Sequence, residues 1–123
     1  MIRPILLVAI GGAAGSVLRY LTGEFFKKIS STTFPLGTFV ANIAGCLLIG
    51  ILIGLFDKAG SDNPQLKWLL ITGFCGGYTT FSSFSYENVS LLQHGNYGLA
   101  FLYIASSLLL GLLAVGFGLF LVK

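Results

Sequence analysis

Charged side chains are scarce in this sequence. Lysine and arginine number 7 and aspartate and glutamate 4 among 123 residues, whereas 55% of the residues are hydrophobic and the mean hydropathy is +0.92. A water-soluble protein of this size must cover most of its surface with polar groups, which this composition cannot supply. Disorder is excluded as well, because 11 phenylalanines and 5 tyrosines make the chain too apolar. The chain is therefore predicted to be an integral membrane protein.

Residues that serve in catalysis and metal binding are equally sparse. The single histidine, His94, falls in a predicted turn, and Cys46 and Cys75 lie in apolar runs without a C-x-x-C neighbour. No nucleophile has a base within motif range, and no phosphate-binding loop or metal-ligand cluster occurs. We therefore expect that the chain is not an enzyme. A nucleic-acid partner is not expected either, because no basic cluster exceeds Lys27-Lys28.

The few charges leave long charge-free stretches between them. A helix needs about 20 apolar residues to span the ~30 Å of hydrocarbon in a bilayer. The stretches are 4–18, 29–56, 68–86 and 88–122. The whole chain, residues 1–123, is thus predicted to be a single all-α transmembrane domain of four helices, with an exposed loop at 57–65. The predicted spans are about 4–26, 35–56, 66–93 and 97–122.

The third predicted span has an unusual centre. A glycine pair at 76–77 precedes a threonine pair at 79–80, and both pairs are poor in a helix interior. Hydroxyl-bearing residues are then dense through position 85. In lipid, an interrupted helix is tolerated only where its freed backbone groups face protein, water or an ion. We predict a discontinuous third helix, broken around Gly76–Thr80.

Small residues recur at the spacing that allows helices to pack closely in a membrane. G-x-x-x-G pairs of this kind favour close backbone contact where lipid supplies no hydrophobic driving force. The pairs are Gly11/Gly15, Gly50/Gly54 and Gly73/Gly77. We interpret them as general packing contacts.

Basic residues are spread almost evenly over the two sides of the predicted bundle. With four crossings, one side carries Arg3, Lys58, Lys67 and Lys123, and the other carries Arg19, Lys27 and Lys28. So small a bias does not set an orientation by the positive-inside rule. We therefore expect insertion in both orientations and an antiparallel homodimer, symmetric about an axis in the membrane plane.

Polar residues inside the predicted spans are costly and are therefore candidates for function. Asn42 lies near the middle of the second span, where its amide either bonds a neighbouring helix or donates to an anion. Arg19 lies toward the end of the first span and either anchors that helix at the interface or makes an electropositive vestibule. Both interpretations stay open for each residue.

Aromatic and hydroxyl side chains share the segment after the predicted break. Phe81 and Phe84 lie three residues apart on one helical face. Membrane phenylalanines mostly pack or face lipid, but their positive ring edge also allows them to line an anion path. On the fourth span, Tyr103, Ser106 and Ser107 form a polar stripe. The tyrosine hydroxyl needs a partner, which we expect to be the asparagine of the second span or a water.

Three motifs together resemble one family over essentially the whole chain. They are GGAAGSVLRY at 11–20, PLGTFVANIAG at 35–45 and GFCGGYTTFSSFSYE at 73–87. In this order they resemble the Fluc/CrcB fluoride channels. The resemblance implies an antiparallel dual-topology homodimer in the inner membrane of a prokaryotic cell, which exports fluoride passively and thereby gives fluoride resistance.

The resemblance also implies roles for individual residues. It assigns to the fluoride pathway Asn42, Phe81, Ser82, Ser83, Phe84, Tyr103 and Ser107. It places Arg19 in a vestibule, and it implies a structural Na⁺ at the dimer interface held by backbone carbonyls of Gly76 and Thr79. The partners expected from it are fluoride, a second copy of the chain and the lipid bilayer.

Two other functions remain as alternatives. A small multidrug-resistance-type dual-topology exporter needs an ionisable carboxylate at mid-membrane, and the first span has none between positions 4 and 18. A membrane scaffold held together by G-x-x-x-G contacts leaves the hydroxyl-rich break in the third span unexplained. Passive fluoride transport is therefore the preferred hypothesis.

Overall fold

The computed structural model describes residues 1–60 and 63–123, and these residues form helices and no strand. We label α1 Ile2–Ile29, α2 Leu36–Ala59, α4 Phe81–Gln93 and α5 Tyr97–Leu121. Between α2 and α4, α3 consists of three consecutive helical stretches, Pro64–Leu66, Lys67–Cys75 and Gly76–Tyr78. The predicted all-α class is confirmed.

Three helices, α1, α2 and α5, are long and apolar enough to cross a membrane among the described residues. Both α1 and α2 continue past their predicted ends at 26 and 56. Gly60 ends α2 with a left-handed conformation at φ +63°, and its N–H donates to Phe56 O and Asp57 O. Glycine is favoured there because a Cβ destabilises this conformation.

The third predicted span is interrupted within the predicted range Gly76–Thr80, at the C-terminal end of that range. Gly76 keeps helical angles, φ −63° and ψ −36°, and the helix continues through Tyr78. Thr79 and Thr80 are extended, with ψ of 157° and 124°. The prediction that the glycine pair forms part of the break is therefore wrong. Gly77 packs against Gly12 of α1 while it remains helical.

Lys67–Cys75 forms a π-helix, in which hydrogen bonds run from residue i to i+5. π-Helices are rare and usually extend over a single turn, often near functional sites. Nothing in the residue pattern of this segment predicts one. The stretch packs closely along α1, where a Cβ on Gly73 would lie 2.9 Å from Val8 O.

The predicted small-residue pairs lie at the helix crossings. A Cβ on Gly15 of α1 would lie 2.8 Å from Tyr78 N, and one on Gly77 of α3 would lie 2.6 Å from Gly12 O. A Cβ on Gly118 of α5 would lie 2.6 Å from Leu47 O of α2. Neither helix pair can approach as closely with a larger residue at these positions.

Candidate ion pathway at the helix break

Asn42 of α2 joins directly to the break between α3 and α4. Its Nδ2 donates to Thr80 O at 3.2 Å, and its Oδ1 accepts from Thr80 N at 2.8 Å. One side chain thus contacts both backbone groups of Thr80, whose N–H has no partner within a helix. The side-chain amide has a second N–H donor, which this pairing leaves available.

The start of α4 is capped from within the break. Thr80 is the N-cap residue, and its Oγ1 accepts from Ser83 N at 3.2 Å. The same oxygen lies 3.3 Å from Ser82 Oγ. Threonine at an N-cap typically stabilises a helix by about 1 kcal/mol. Thr80 therefore stabilises the start of α4, a position that suits a residue of low helix propensity.

The end of α3 is held by α1. Arg19 Nε donates to Gly77 O at 3.3 Å, which places a cation at the negative end of the helix dipole. One turn further along α1, Thr22 Oγ1 lies 3.0 Å from the hydroxyl oxygen of Tyr78. Tyr78 stacks on Phe74 with ring centroids 6.0 Å apart. Arg19 therefore contacts the broken helix, whereas the resemblance assigned it to a vestibule alone.

A cavity of about 430 Å³ opens beside the break, between α2, α3, α4 and α5. Four of the seven predicted pathway residues line it, and so do both predicted Na⁺ ligands. They are Asn42, Phe81, Phe84 and Ser107, with Gly76 and Thr79. Ser107 Oγ is buried and has no hydrogen-bond partner among the described residues. An unpaired hydroxyl beside an apolar cavity is costly, and it offers a donor to a ligand there.

The aromatic side chains of this region form a continuous series of ring contacts, of which those to Tyr103 from Phe34 and Phe84 are edge-on. Phe81 and Phe84 lie 6.0 Å apart between ring centroids at 41°, and Phe84 meets Tyr103 at 5.0 Å and 61°. Phe34 packs edge-on against the same tyrosine at 5.2 Å. Phe81 remains 78% exposed within the single chain. The two phenylalanines therefore connect the open side of the cavity to the buried core.

Tyr103 is fully buried, and its hydroxyl donates to Glu87 Oε1 at 2.8 Å. The expectation that Asn42 or a water is its partner is therefore wrong, because the asparagine is paired with Thr80. Thr38 donates to the other oxygen of the same carboxylate, Glu87 Oε2, at 2.8 Å. The single O–H of Tyr103 is thus already used inside the protein.

Glu87 is the functional candidate that the sequence reasoning missed. It lies within the predicted third span, toward the end of that span at 93. Its isolation was the available signal, since it is the only charged residue between Lys67 and Lys123. A carboxylate so placed in an apolar chain needs donors from other helices. Thr38 and Tyr103 supply them from α2 and α5.

The remaining predicted residues lie outside the main cavity. Ser82 and Ser83 contact Thr80 at the start of α4. Arg19 lines a smaller cavity of about 160 Å³ together with Glu24, Lys27 and Thr38. Some of the predicted site residues therefore line the cavity, whereas Arg19, Ser82 and Ser83 lie at the ends of the broken helix.

The oxygen atoms near the break are neutral. The described residues contain no group of three or more histidine, cysteine, aspartate or glutamate side chains that could hold a metal. The last carbonyls of a helix have no donor within that helix. Arg19 takes Gly77 O, and no hydrogen bond within the described part of the chain reaches Thr79 O. A hard cation with neutral oxygen ligands fits this donor set.

The family of this chain follows from its match to known sequences. Residues 6–119 match the model of the CrcB-like proteins, Camphor Resistance (CrcB). The chain belongs to this family. A relative from Flavobacterium psychrophilum, named fluoride-specific ion channel FluC, is 54% identical over 121 residues, which cover 98% of each chain. A relative of the same name from Campylobacter fetus is 52% identical over 97% of this chain and 93% of its own.

A third CrcB-family relative of that name, from Azobacteroides pseudotrichonymphae, is 48% identical over 96% of this chain and 94% of its own. Matches of this coverage include α1, α2, the interrupted α3–α4 segment and α5. The predicted family is therefore confirmed over nearly the whole chain.

Proposed function

We propose that this chain is a fluoride-specific ion channel, a multi-pass membrane protein of bacteria that lets fluoride leave the cell passively. The observation that carries the proposal is the cavity at the helix break, where Asn42, Phe81, Phe84 and Ser107 come together. Family membership and the names of the relatives support the choice of ion. The three apolar helices support the membrane location.

Fluoride is small and strongly hydrated, so a path for it must replace water with hydrogen-bond donors. Asn42 retains one N–H after pairing with Thr80, and the hydroxyl of Ser107 is unpaired. Neither donor carries a charge, and among the described residues no lysine or arginine lines this cavity. Weak, uncharged binding lets the ion enter and also leave, as conduction requires.

Phe81 and Phe84 supply the second kind of contact. An aromatic ring has a positive edge and a negative face, so an anion is attracted to ring hydrogens without being trapped. Phe84 is fixed edge-on against Tyr103, which orients its ring. In this mechanism Tyr103 is a positioning residue, because its hydroxyl hydrogen is donated to Glu87. The carboxylate does not line the cavity, so its charge does not face the anion there.

The proposal also includes an antiparallel dimer that holds one Na⁺. Two copies in opposite orientations follow from the nearly even distribution of basic residues. Gly76 and Thr79 from each copy would hold one Na⁺ through backbone carbonyls, and the unpaired Thr79 O supports this assignment. When bound, the ion stabilises the extended break and is not itself transported. Thr79→Ser should keep the site because the ligand is a backbone atom.

The deciding experiment is fluoride efflux from proteoliposomes containing the purified chain, followed with a fluoride electrode and compared with chloride efflux. We expect fast fluoride release and little chloride release. Efflux of both ions at similar rates, or of neither, would contradict the proposal. Fluoride efflux that stays complete after purification and assay in K⁺ without Na⁺ would contradict the Na⁺ assignment alone.

The multidrug-exporter alternative is not favoured. Such an exporter exchanges protons for a cationic substrate through a mid-membrane carboxylate, and the described part of α1 has none between positions 4 and 18. Its family would also be a different one from the CrcB family matched here. Proton-driven uptake of an organic cation into the same proteoliposomes should therefore be undetectable.

A further inference from the structure

A second cavity, of about 550 Å³, lies between the last turns of α2 and α5 and shares no lining residue with the cavity at the break. Its rim carries Asp57, Lys58 and Lys123. These are the first charged residues after two charge-free stretches, 29–56 and 88–122. The change from apolar to charged residues places this rim at the membrane–water interface.

Within the described residues, the charges on this rim form no ion pair. The ion pair found among these residues joins Lys27 and Glu24, near the C-terminal end of α1. Asp57, Lys58 and Lys123 are not part of it. Unpaired ammonium groups at a bilayer surface attract phosphate headgroups. The rim therefore offers two cations and one carboxylate to a ligand with both kinds of charge.

The floor of the cavity is apolar and open. Gly116 of α5 has no heavy atom of a neighbouring element within 4 Å of its Cβ position. Phe120, one turn further along the same helix, is 68% exposed. Leu119 and Gly54 complete the floor against α2. An apolar groove that continues into a charged rim matches a molecule with a polar head and an apolar chain, and its volume lies in the range of ligand pockets.

Two helix C-termini meet near the rim. α2 ends at Ala59 and α5 ends at Leu121, and each end carries the negative pole of a helix dipole. A ligand amine is stabilised at such a position, because it can donate N–H bonds to the last carbonyls. A headgroup that holds an amine next to its phosphate therefore matches both signs of charge at this site.

We propose that this cavity binds one phosphatidylethanolamine molecule from the surrounding leaflet. Lys58 and Lys123 hold the lipid phosphate, and Asp57 accepts from the primary ammonium. One acyl chain lies along Gly116 and Phe120. Phosphatidylglycerol lacks the amine, and phosphatidylcholine has a quaternary ammonium without N–H donors, so both should bind more weakly. The inference does not depend on the ion that the channel conducts.

The test is native mass spectrometry of the full chain, released from detergent that contains equal amounts of the three lipids. We expect one phosphatidylethanolamine per chain to remain bound. Replacing both rim lysines, Lys58→Gln with Lys123→Gln, should lower its occupancy about tenfold, whereas the exposed Lys28→Gln should not. Asp57→Asn should remove the preference over phosphatidylglycerol. Equal retention of all three lipids by the wild type would overturn the proposal.

A second variant tests the floor of the groove without changing charge. Gly116→Leu fills open space, so it should fold and yet lower occupancy by all three lipids. Gly98→Leu is the matched control, because Gly98 is also a glycine of α5 with no heavy atom of a neighbouring element within 4 Å of its Cβ position. Unchanged phosphatidylethanolamine retention in Gly116→Leu would overturn the proposal. If the monomer retains phosphatidylethanolamine and the dimer does not, a second copy of the chain occupies the cavity in the dimer. That result would also overturn the proposal.

Discussion

The hydroxyl of Tyr103 donates to Glu87 Oε1 at 2.8 Å across the interface of α5 and α4. Thr38 donates to the second oxygen of this carboxylate from α2, so one acidic side chain connects three helices. A charge-assisted hydrogen bond of this kind is stronger than a neutral one. The connection lies beside Phe84, whose ring packs edge-on against Tyr103.

Tyr103→Phe should therefore lower stability more than it lowers fluoride flux. The substitution keeps the ring contacts but leaves Glu87 with one donor fewer, and we expect a loss of about 1–3 kcal/mol. Thermal unfolding in detergent measures the effect. Tyr97→Phe is the control, since Tyr97 is 66% exposed. Equal melting temperatures for the two variants would show that the Glu87 bond contributes nothing.

Asn42→Leu should reduce both stability and flux. The variant is similar in size but leaves the N–H and C=O of Thr80 without their side-chain partner, which costs about 2–4 kcal/mol. It also removes the free N–H from the cavity, so we expect fluoride efflux to fall at least tenfold. Thr80→Ser, which keeps the N-cap hydroxyl, serves as the control. Wild-type efflux in Asn42→Leu would contradict the assignment of Asn42 to the pathway.

Phe81→Ile and Phe84→Ile should each cut fluoride efflux severely while the protein remains folded. Isoleucine keeps much of the bulk but has no positive ring edge. Phe101→Ile provides the comparison, because Phe101 lies on α5, is 75% exposed and does not line the cavity. If all three variants transport fluoride at the same rate, the two phenylalanines only pack.

Gly15→Ala and Gly12→Ala form a matched pair on α1. A Cβ at Gly15 would come within 2.8 Å of Tyr78 N, whereas one at Gly12 has its nearest neighbour, Gly73 O, at 3.8 Å. We expect Gly15→Ala to force α1 away from α3 and to weaken the Arg19–Gly77 contact. Its melting temperature and flux should fall, and those of Gly12→Ala should not. Similar losses in both variants would contradict this account of the crossing.

Dual topology predicts that the end of the chain is found on both sides of the membrane. In a background with Cys46→Ala and Cys75→Ala, a thiol introduced by Lys123→Cys should react from either side of the vesicles. Adding two or three lysines to one side should force a single orientation. Activity should then return only when a copy with the opposite bias is co-expressed. Labelling from one side alone would rule out the antiparallel dimer.

Composition and local pattern alone determined the class of the protein. The scarcity of charge, the long apolar stretches and the poor helix formers in the third span depend on nearest neighbours and on the solvent, so they could be recognised without coordinates. They predicted an all-α membrane chain with one interrupted helix, and the motifs identified its family. The Na⁺, the dimer and the roles of individual pathway residues stay predictions.

Only the tertiary structure decided where the break lies and which polar groups meet. Asn42 and Thr80 are 38 residues apart in sequence, and the pairing of Asn42 with the Thr80 backbone stabilises an extended residue there. Glycine has low helix propensity but also allows close packing, and its contacts with α1 keep Gly77 helical. Glu87 finds its donors on two other helices. The position of the break and these hydrogen-bond partners depend on contacts between residues distant in sequence, because in a membrane each buried polar group must find its partner within the protein.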